Sequence, residues 1–268
     1  MRFLHTSDLH IGKTVHEFSM LAEQRHILEQ IEEMAIKEAV DAVVIAGDVY
    51  DRSIPSTDAV NILDRFLTNL FKADIKVIMI SGNHDSPDRV GFADKILEKQ
   101  GLYIGSTALE ELKTVKFEDS YGEVTFVLLP FVKPAVVGAD DSQEAVDLIL
   151  EKNGYDGSVA LSGRSVLVTH FFVTGTKGEM PELSDSETTV NVGGLEQVSA
   201  DSFKAFDYVA LGHIHKPQQV AGGSCYYAGS PLKYSFSFWM DMGPTSLSFY
   251  HCAKICLAIS APCFASLA

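Results

Sequence analysis

Two histidines, His213 and His215, stand two residues apart in "ALGHIH", behind the apolar run "FDYVAL". On an extended backbone, residues i and i+2 point to the same side. Two imidazoles placed so at a strand end can grip one cation. Taken alone, the pair is as easily read as two surface side chains on a loop. Four further apolar runs end in the same kind of residue. "SDLH" supplies Asp8 and His10, again two apart, and "GDVYD" supplies Asp48. "GNHD" supplies Asn83, His84 and Asp85, and "VTHFF" supplies His170. Five of the nine histidines fall in these clusters.

Each cluster has a bland explanation of its own. Asp8 and Asp48 suit caps, Asn83 suits a tight turn, and His170 suits a satisfied core position. Together they say more, because open α/β sheets bind ligands at the carboxyl ends of their strands. Asp8, His10, Asp48, Asn83, His170, His213 and His215 are seven donors, whereas one structural zinc takes four. Seven mixed nitrogen and oxygen donors suit two cations sharing a carboxylate. Asp48 is the natural bridge, since a carboxylate offers two oxygens. Paired cations about 3.5–4 Å apart serve in-line displacement at phosphorus. Carboxylate, amide and imidazole donors admit manganese, iron or zinc.

The elements that must place these donors follow from hydrophobic periodicity. "RFLHTSD", "VDAVVIAGD" and "IKVIMISGN" read as buried strands. Helices are expected over residues 20–39, 56–72 and 88–100, the last stopped by Gly101. This β-α-β-α-β rhythm implies parallel strands with helical crossovers. A hairpin turns at Tyr121 and Gly122, and a helix covers residues 142–153. "SVLVTHFF" and "FDYVALGHIH" are again buried strands, with an acidic loop at about 174–192 between them. "CYYAGSPLKYSF" gives a further strand and turn. Helix 56–72 is apolar on more than one stripe, through Val60, Leu63, Leu67 and Phe71 and through Ile62 and Phe66. A helix buried on one side needs one stripe, so a second covered face is expected, either in a homodimer or under a neighbouring layer of the same chain.

Composition limits the function. A chain of 268 residues, 46% hydrophobic, can bury a large core. The net charge of −15 argues against a protein that coats nucleic acid by charge alone. Bound cations would still supply local positive charge. Asp8 and His10 interrupt the place where a signal peptide has its apolar stretch, and no run reaches membrane-spanning length. A soluble cytoplasmic protein is expected. Cys225, Cys252, Cys256 and Cys263 form no C-x-x-C and suggest no disulfide framework.

The ordered set D-x-H, GD, GNHD, a lone H and GHxH resembles the calcineurin-like metallophosphoesterases over about residues 1–235. "LHTSDLHIGK", "AGDVYDRSIPS", "SGNHDSP" and "YAGSPLKYSFS" narrow the resemblance to the SbcD nucleases. That resemblance implies a four-layer α/β/β/α sandwich and two manganese ions. It implies 3′→5′ double-strand exonuclease and hairpin endonuclease activity on DNA in break repair. It also implies an SMC-like ATPase partner of the SbcC type and a homodimer formed through helices of this domain. Carried over residue by residue, it assigns one cation to Asp8, His10, Asp48 and His215. It assigns the other to Asp48, Asn83, His170 and His213. It makes His84 the group that helps the leaving oxygen depart, supported from behind by Asp85. Another phosphomonoesterase or phosphodiesterase of the superfamily, or a non-catalytic scaffold, is the alternative.

The resemblance stops at the end. After "YSFS" the chain is apolar, with Asp241 and Lys254 its only formal charges over residues 238–268. A nuclease domain over residues 1–237 is therefore expected, followed by an atypical tail, 238–268, without a native role and without the family's capping domain.

Overall fold

The computed structural model describes residues 1–109, 111–157, 161, 163–183, 196–220 and 223–232, and the backbone of Cys256–Ile259. The first half runs β1 (Arg2–Thr6), β2 (Thr14–Val15), β3 (Phe18–Ser19), α1 (Leu21–Lys37), β4 (Ala42–Ala46), α2 (Thr57–Lys72) and β5 (Lys76–Ile80). It continues through two single turns, α3 (Pro87–Val90) and α4 (Asp94–Leu97), into β6 (Leu102–Gly105). The second half holds the hairpin β7 (Lys113–Asp119) and β8 (Gly122–Leu129), then α5 (Pro134–Val137) and α6 (Ser142–Lys152). It closes with β9 (Arg164–His170), β10 (Phe172–Thr174), β11 (Gln197–Ser199), β12 (Tyr208–Gly212), β13 (Gln218–Gln219), β14 (Cys225–Tyr227) and β15 (Cys256–Ile259).

Strand residues alternate between two apolar environments, and this alternation builds the layers. In β4, Val43 and Ile45 pack on Leu28 and Ile31 of α1 and on Ile62 and Phe66 of α2. Val44 and Ala46 face the other way, onto Phe126, Leu128, Val166 and Val168 of the second sheet. That sheet's outer face, with Val127, Leu167 and Leu211, is covered by Val146, Ile149 and Leu150 of α6. Helix, sheet, sheet and helix thus stack as the expected α/β/β/α sandwich. The first sheet has the order β15-β1-β4-β5-β6, and the second β13-β14-β12-β9-β8-β7. β1, β4, β5 and β6 are mutually parallel, as are β8, β9, β12 and β14. Their carboxyl ends carry the chemistry.

One expectation is revised, and two others gain detail. The helix expected over residues 88–100 is broken into α3, α4 and a 3-10 turn, Glu98–Gln100. Ala93 sits in the left-handed region at φ 61, and Gly91 lies so close to Ser106 that a Cβ would meet its Oγ at 2.3 Å. A continuous helix would put both residues elsewhere. The second stripe of α2 is largely taken up within the chain, since Leu67 and Phe71 pack against the same core and Val60 stays exposed. The tail holds a strand, because β15 pairs antiparallel with β1 and covers its outer edge. The rest of the expected tail, and residues 184–192 of the expected acidic loop, lie outside the described residues. Among the described residues no helix is long and apolar enough to cross a membrane.

His5 shares its face of β1 with Phe3 and so points between the sheets. It is buried, with Nδ1 3.1 Å from the Tyr208 hydroxyl. Burial pushes its pKa down to about 3. The unfolded chain therefore binds a proton here that the folded chain refuses, and stability is lost as pH falls through the unfolded value. Between pH 7 and pH 5 the wild type should lose about 2 kcal/mol more unfolding free energy than a His5→Gln variant. Urea titrations at the two pH values check this; parallel losses would assign the acid sensitivity elsewhere.

Candidate metal centre

All five ligand-bearing runs end at one place. The first sheet delivers Asp8 and His10 after β1, Asp48 after β4, and Asn83 to Asp85 after β5. The second sheet delivers His170 as the last residue of β9, and His213 and His215 just after β12. The two contributions meet because the sheets approach closely at their carboxyl ends. A Cβ on Gly212 would lie 1.9 Å from the Ala46 carbonyl oxygen and 2.6 Å from His170 Nδ1. A Cβ on Gly82 would lie 2.2 Å from Asp48 Oδ1. Any side chain at either position would push a donor out of place.

The loops themselves are tightly bent. Asp8 (φ 53), His10 (φ 43), Asp48 (φ 49) and His213 (φ 96) all lie in the left-handed region. Such backbone costs of order 1–3 kcal/mol per residue and concentrates at functional sites. Here it is held by a ladder between two loops. Asp8 N–H donates to the Gly47 carbonyl (3.1 Å), His10 N–H to Asp48 (3.0 Å) and Ile11 N–H to Val49 (3.0 Å).

Asp48 is the centre. It is 2% exposed, and its Oδ1 accepts the His84 backbone N–H at 2.9 Å. Its Oδ2 lies 3.6 Å from His10 Nε2 and 3.4 Å from His170 Nε2. On one side, His10 Nε2 and His215 Nε2 are 3.1 Å apart, and His215 Nε2 is 3.9 Å from Asp8 Oδ1. On the other, Asn83 Oδ1 lies 3.0 Å from His170 Nε2 and 3.1 Å from His213 Nδ1. Short distances thus link Asp8, His10 and His215 on one side of Asp48 and Asn83, His170 and His213 on the other. His170 Nδ1 donates to the Ala46 carbonyl at 2.7 Å, which aims Nε2 at Asp48.

The electrostatics suit cation binding. Burial alone would raise Asp48, but His170, then His10 and His84, hold its carboxyl well below the usual carboxylate range. Burial raises Asp8 against the pull of His170 and His215. Burial lowers His10, and it lowers His213 to about 3, so both imidazoles are neutral. For His170 burial also opposes the charge, but Asp48 and Asp8 more than offset it and the value rises to about 9. Ionised carboxylate, the neutral imidazoles of His10 and His213 and an amide oxygen are donors for borderline divalent cations, and His170 would release its proton to join them. Three triads, Asp8-His10-His215, His10-Asp48-His84 and Asp8-Asp48-His170, each have donor atoms within 4.8 Å of one another. The residues fit a dinuclear centre.

Asp85 departs from its expected role. It does not stand behind His84. Its carboxylate accepts the N–H groups of Val49 (3.0 Å), Tyr50 (2.9 Å) and Gly82 (2.9 Å). It is a clamp between the Asp48 and Asn83 loops, and burial, with Asp48 nearby, raises it to about 6. The group facing His84 Nδ1 is the Asp51 carbonyl, at 3.1 Å. A carbonyl only accepts, so Nδ1 carries the proton and Nε2 is turned toward Asp48, 4.0 Å away. The Asp51 carboxylate in turn lies 3.6 Å from His10 Nδ1 and 3.0 Å from Lys13 Nζ. Asp51 escaped the sequence reading, although the same "GDVYD" run carries it. Asn83 and His84 are both exposed.

Comparison with known proteins fits this geometry. Residues 1–217 match the family model for the calcineurin-like phosphoesterases. The chain is 35% identical over 245 residues to the SbcD subunit of the nuclease SbcCD from Staphylococcus epidermidis, covering 88% of this chain and 63% of that one. It is 34% identical over 246 residues to the Staphylococcus saprophyticus protein of the same name, covering 88% and 62%. The chain therefore spans a little under two thirds of the length of these curated relatives. A crystal structure of a dimetal phosphatase from Danio rerio shares the fold, with TM-score 0.50 at 14% identity over 86% of this chain and 87% of that one.

Asp85→Ala should leave three buried N–H groups without their carboxylate and lower unfolding free energy by about 3 kcal/mol. His84→Ala, at an exposed ring, should cost less than about 0.5 kcal/mol. Urea denaturation of both variants checks the contrast. Equal small losses would mean that Asp85 is not the clamp.

Proposed function

Because the chain belongs to the calcineurin-like phosphoesterases, we propose that it is a two-cation phosphodiesterase whose substrate is DNA. One cation is held by Asp8, His10, Asp48 and His215, the other by Asp48, Asn83, His170 and His213. The support is the convergence of these side chains on Asp48. Manganese is the expected activator on the family resemblance, and the nitrogen and oxygen donors with two carboxylates admit it alongside iron and zinc. When bound, such cations supply Lewis-acid activation of a water and neutralise charge on the phosphate oxygens.

The chain's own residues do the rest. Asp48 stays ionised and anchors both donor sets. Asn83 is exposed and sets how a phosphate can approach. His84 is fixed through its Nδ1–H by the Asp51 carbonyl, and in its doubly protonated form it would give the Nε2 proton to the departing alkoxide and be left neutral. The DNA substrate, acting from 3′ ends and at hairpins, is suggested by the name of the staphylococcal relatives and by the motifs shared with their family. The same considerations propose an SMC-like ATPase partner, a cytoplasmic setting and a role in DNA break repair. A homodimer through α2 is proposed on its exposed Val60 with the half-buried Leu67 and Phe71 beside it.

The test is cleavage of hairpin and linear duplex DNA with and without Mn²⁺. Bis-p-nitrophenyl phosphate would not separate a nuclease from other esterases, whereas DNA does. His84→Ala should bind two Mn²⁺ by calorimetry yet cleave about 10²–10⁴-fold more slowly. Asp48→Ala should lose cations and activity together. A His84→Ala variant as fast as wild type would remove the proton-donor role. Light scattering at micromolar concentration should give a dimer mass; a monomer would count against the α2 contact.

A further inference from the structure

Gln24, in the first turn of α1, is an uncharged polar side chain buried to 1% exposure. It reaches out of its helix to the loop that carries Asp8 and His10. Its Nε2 donates to the His10 carbonyl at 2.6 Å and lies 3.4 Å from the Leu9 carbonyl. Its Oε1 accepts the Gly12 N–H at 2.9 Å. On the loop's other side, the N–H groups of Asp8, His10 and Ile11 are taken by carbonyls of residues 47–49. The loop is therefore pinned between two partners, a backbone ladder on one side and one amide side chain on the other. An amide is suited to this place because it offers a donor and an acceptor at once. His10 needs the support, because its backbone is left-handed at φ 43 and its own carbonyl is the atom that Gln24 holds.

We infer that Gln24 is a positioning residue of the centre, which fixes the His10 peptide so that His10 Nε2 stays beside His215 Nε2 and Asp48. The inference rests on the two-cation proposal above. The helix on which Gln24 rides is itself set by Leu28, Ile31 and Ala35 in the core. Its effect falls on one donor set, since the groups it holds belong to the loop of Asp8 and His10. Asn83, His170 and His213 arrive from β5, β9 and β12 instead. Partners that orient a ligand in this way typically change cation affinity ten- to hundredfold when removed.

The experiment titrates the full chain and the variants Gln24→Glu and Gln24→Leu with Mn²⁺ alone by calorimetry, beside thermal melts in chelator. Gln24→Glu keeps the size and the acceptor for Gly12 but loses the donor to the His10 carbonyl. The wild type should bind two Mn²⁺. Both variants should weaken one of the two binding steps ten- to hundredfold and leave the other within about twofold. Unchanged affinities in both variants would overturn the inference. So would equal weakening of both steps in proportion to a lowered melting temperature, which would make Gln24 a general support of the fold. A wild type that binds fewer than two Mn²⁺ would overturn the two-cation proposal itself, and this inference with it.

Discussion

A carboxylate held ionised almost out of reach of water is the constraint around which this molecule is arranged. Asp48 sits between two β-sheets, where desolvation alone would protonate it. It stays charged because His170 arrives from the opposite sheet and His10 from the neighbouring loop. For those rings to reach it, the sheets must nearly touch, and Gly212 against the Ala46 carbonyl lets them. The loops must also turn abruptly, and the left-handed residues at Asp8, His10 and Asp48 make those turns. Strain and close packing that would be defects elsewhere are here the conditions of one charge.

What holds such strained loops is a set of polar side chains aimed at backbone rather than at substrate. Asp85 ties three N–H groups from two loops. Ser230 donates to the Asp8 carbonyl at 2.9 Å, and Ser7 donates to Asp8 Oδ2 at 2.5 Å. These contacts help satisfy polar groups in a low-dielectric interior, where an unmet one is costly. The rigid helical and sheet layers supply the frame, and these short contacts convert it into a fixed arrangement of donors.

Much of this was legible in the sequence, and the part that was not has a physical reason. The strand-end clusters are local. An apolar run and the polar residues that end it are read together, and the parallel topology then brings the ends into one place. The four layers were implied by the family resemblance, whereas periodicity gave parallel buried strands with helical crossovers. Asp85 was misassigned because adjacency to His84 in the chain says nothing of the N–H groups of Val49 and Tyr50, which fold back from more than thirty residues away. Asp51 was missed because its contact with His84 is made by a carbonyl, which every residue possesses. The split of the helix over residues 88–100 turned on one close approach, Gly91 to Ser106, and one left-handed residue, Ala93. The second stripe of α2 is partly covered within the chain, where Leu67 and Phe71 pack on the core, while Val60 stays exposed.

The donors are strung along the chain from Asp8 to His215, and the last three, His170, His213 and His215, all come from the second sheet. During synthesis a chain emerges from its amino end at about 5–20 residues per second. The first sheet's share, two carboxylates, one histidine and an amide, is exposed for many seconds before the imidazoles that complete it. A nascent chain of this kind is chemically incomplete by construction. Its centre can close only once nearly the whole described chain has left the ribosome and the second sheet has docked. The order of residues thus makes completion of the centre wait on the second sheet.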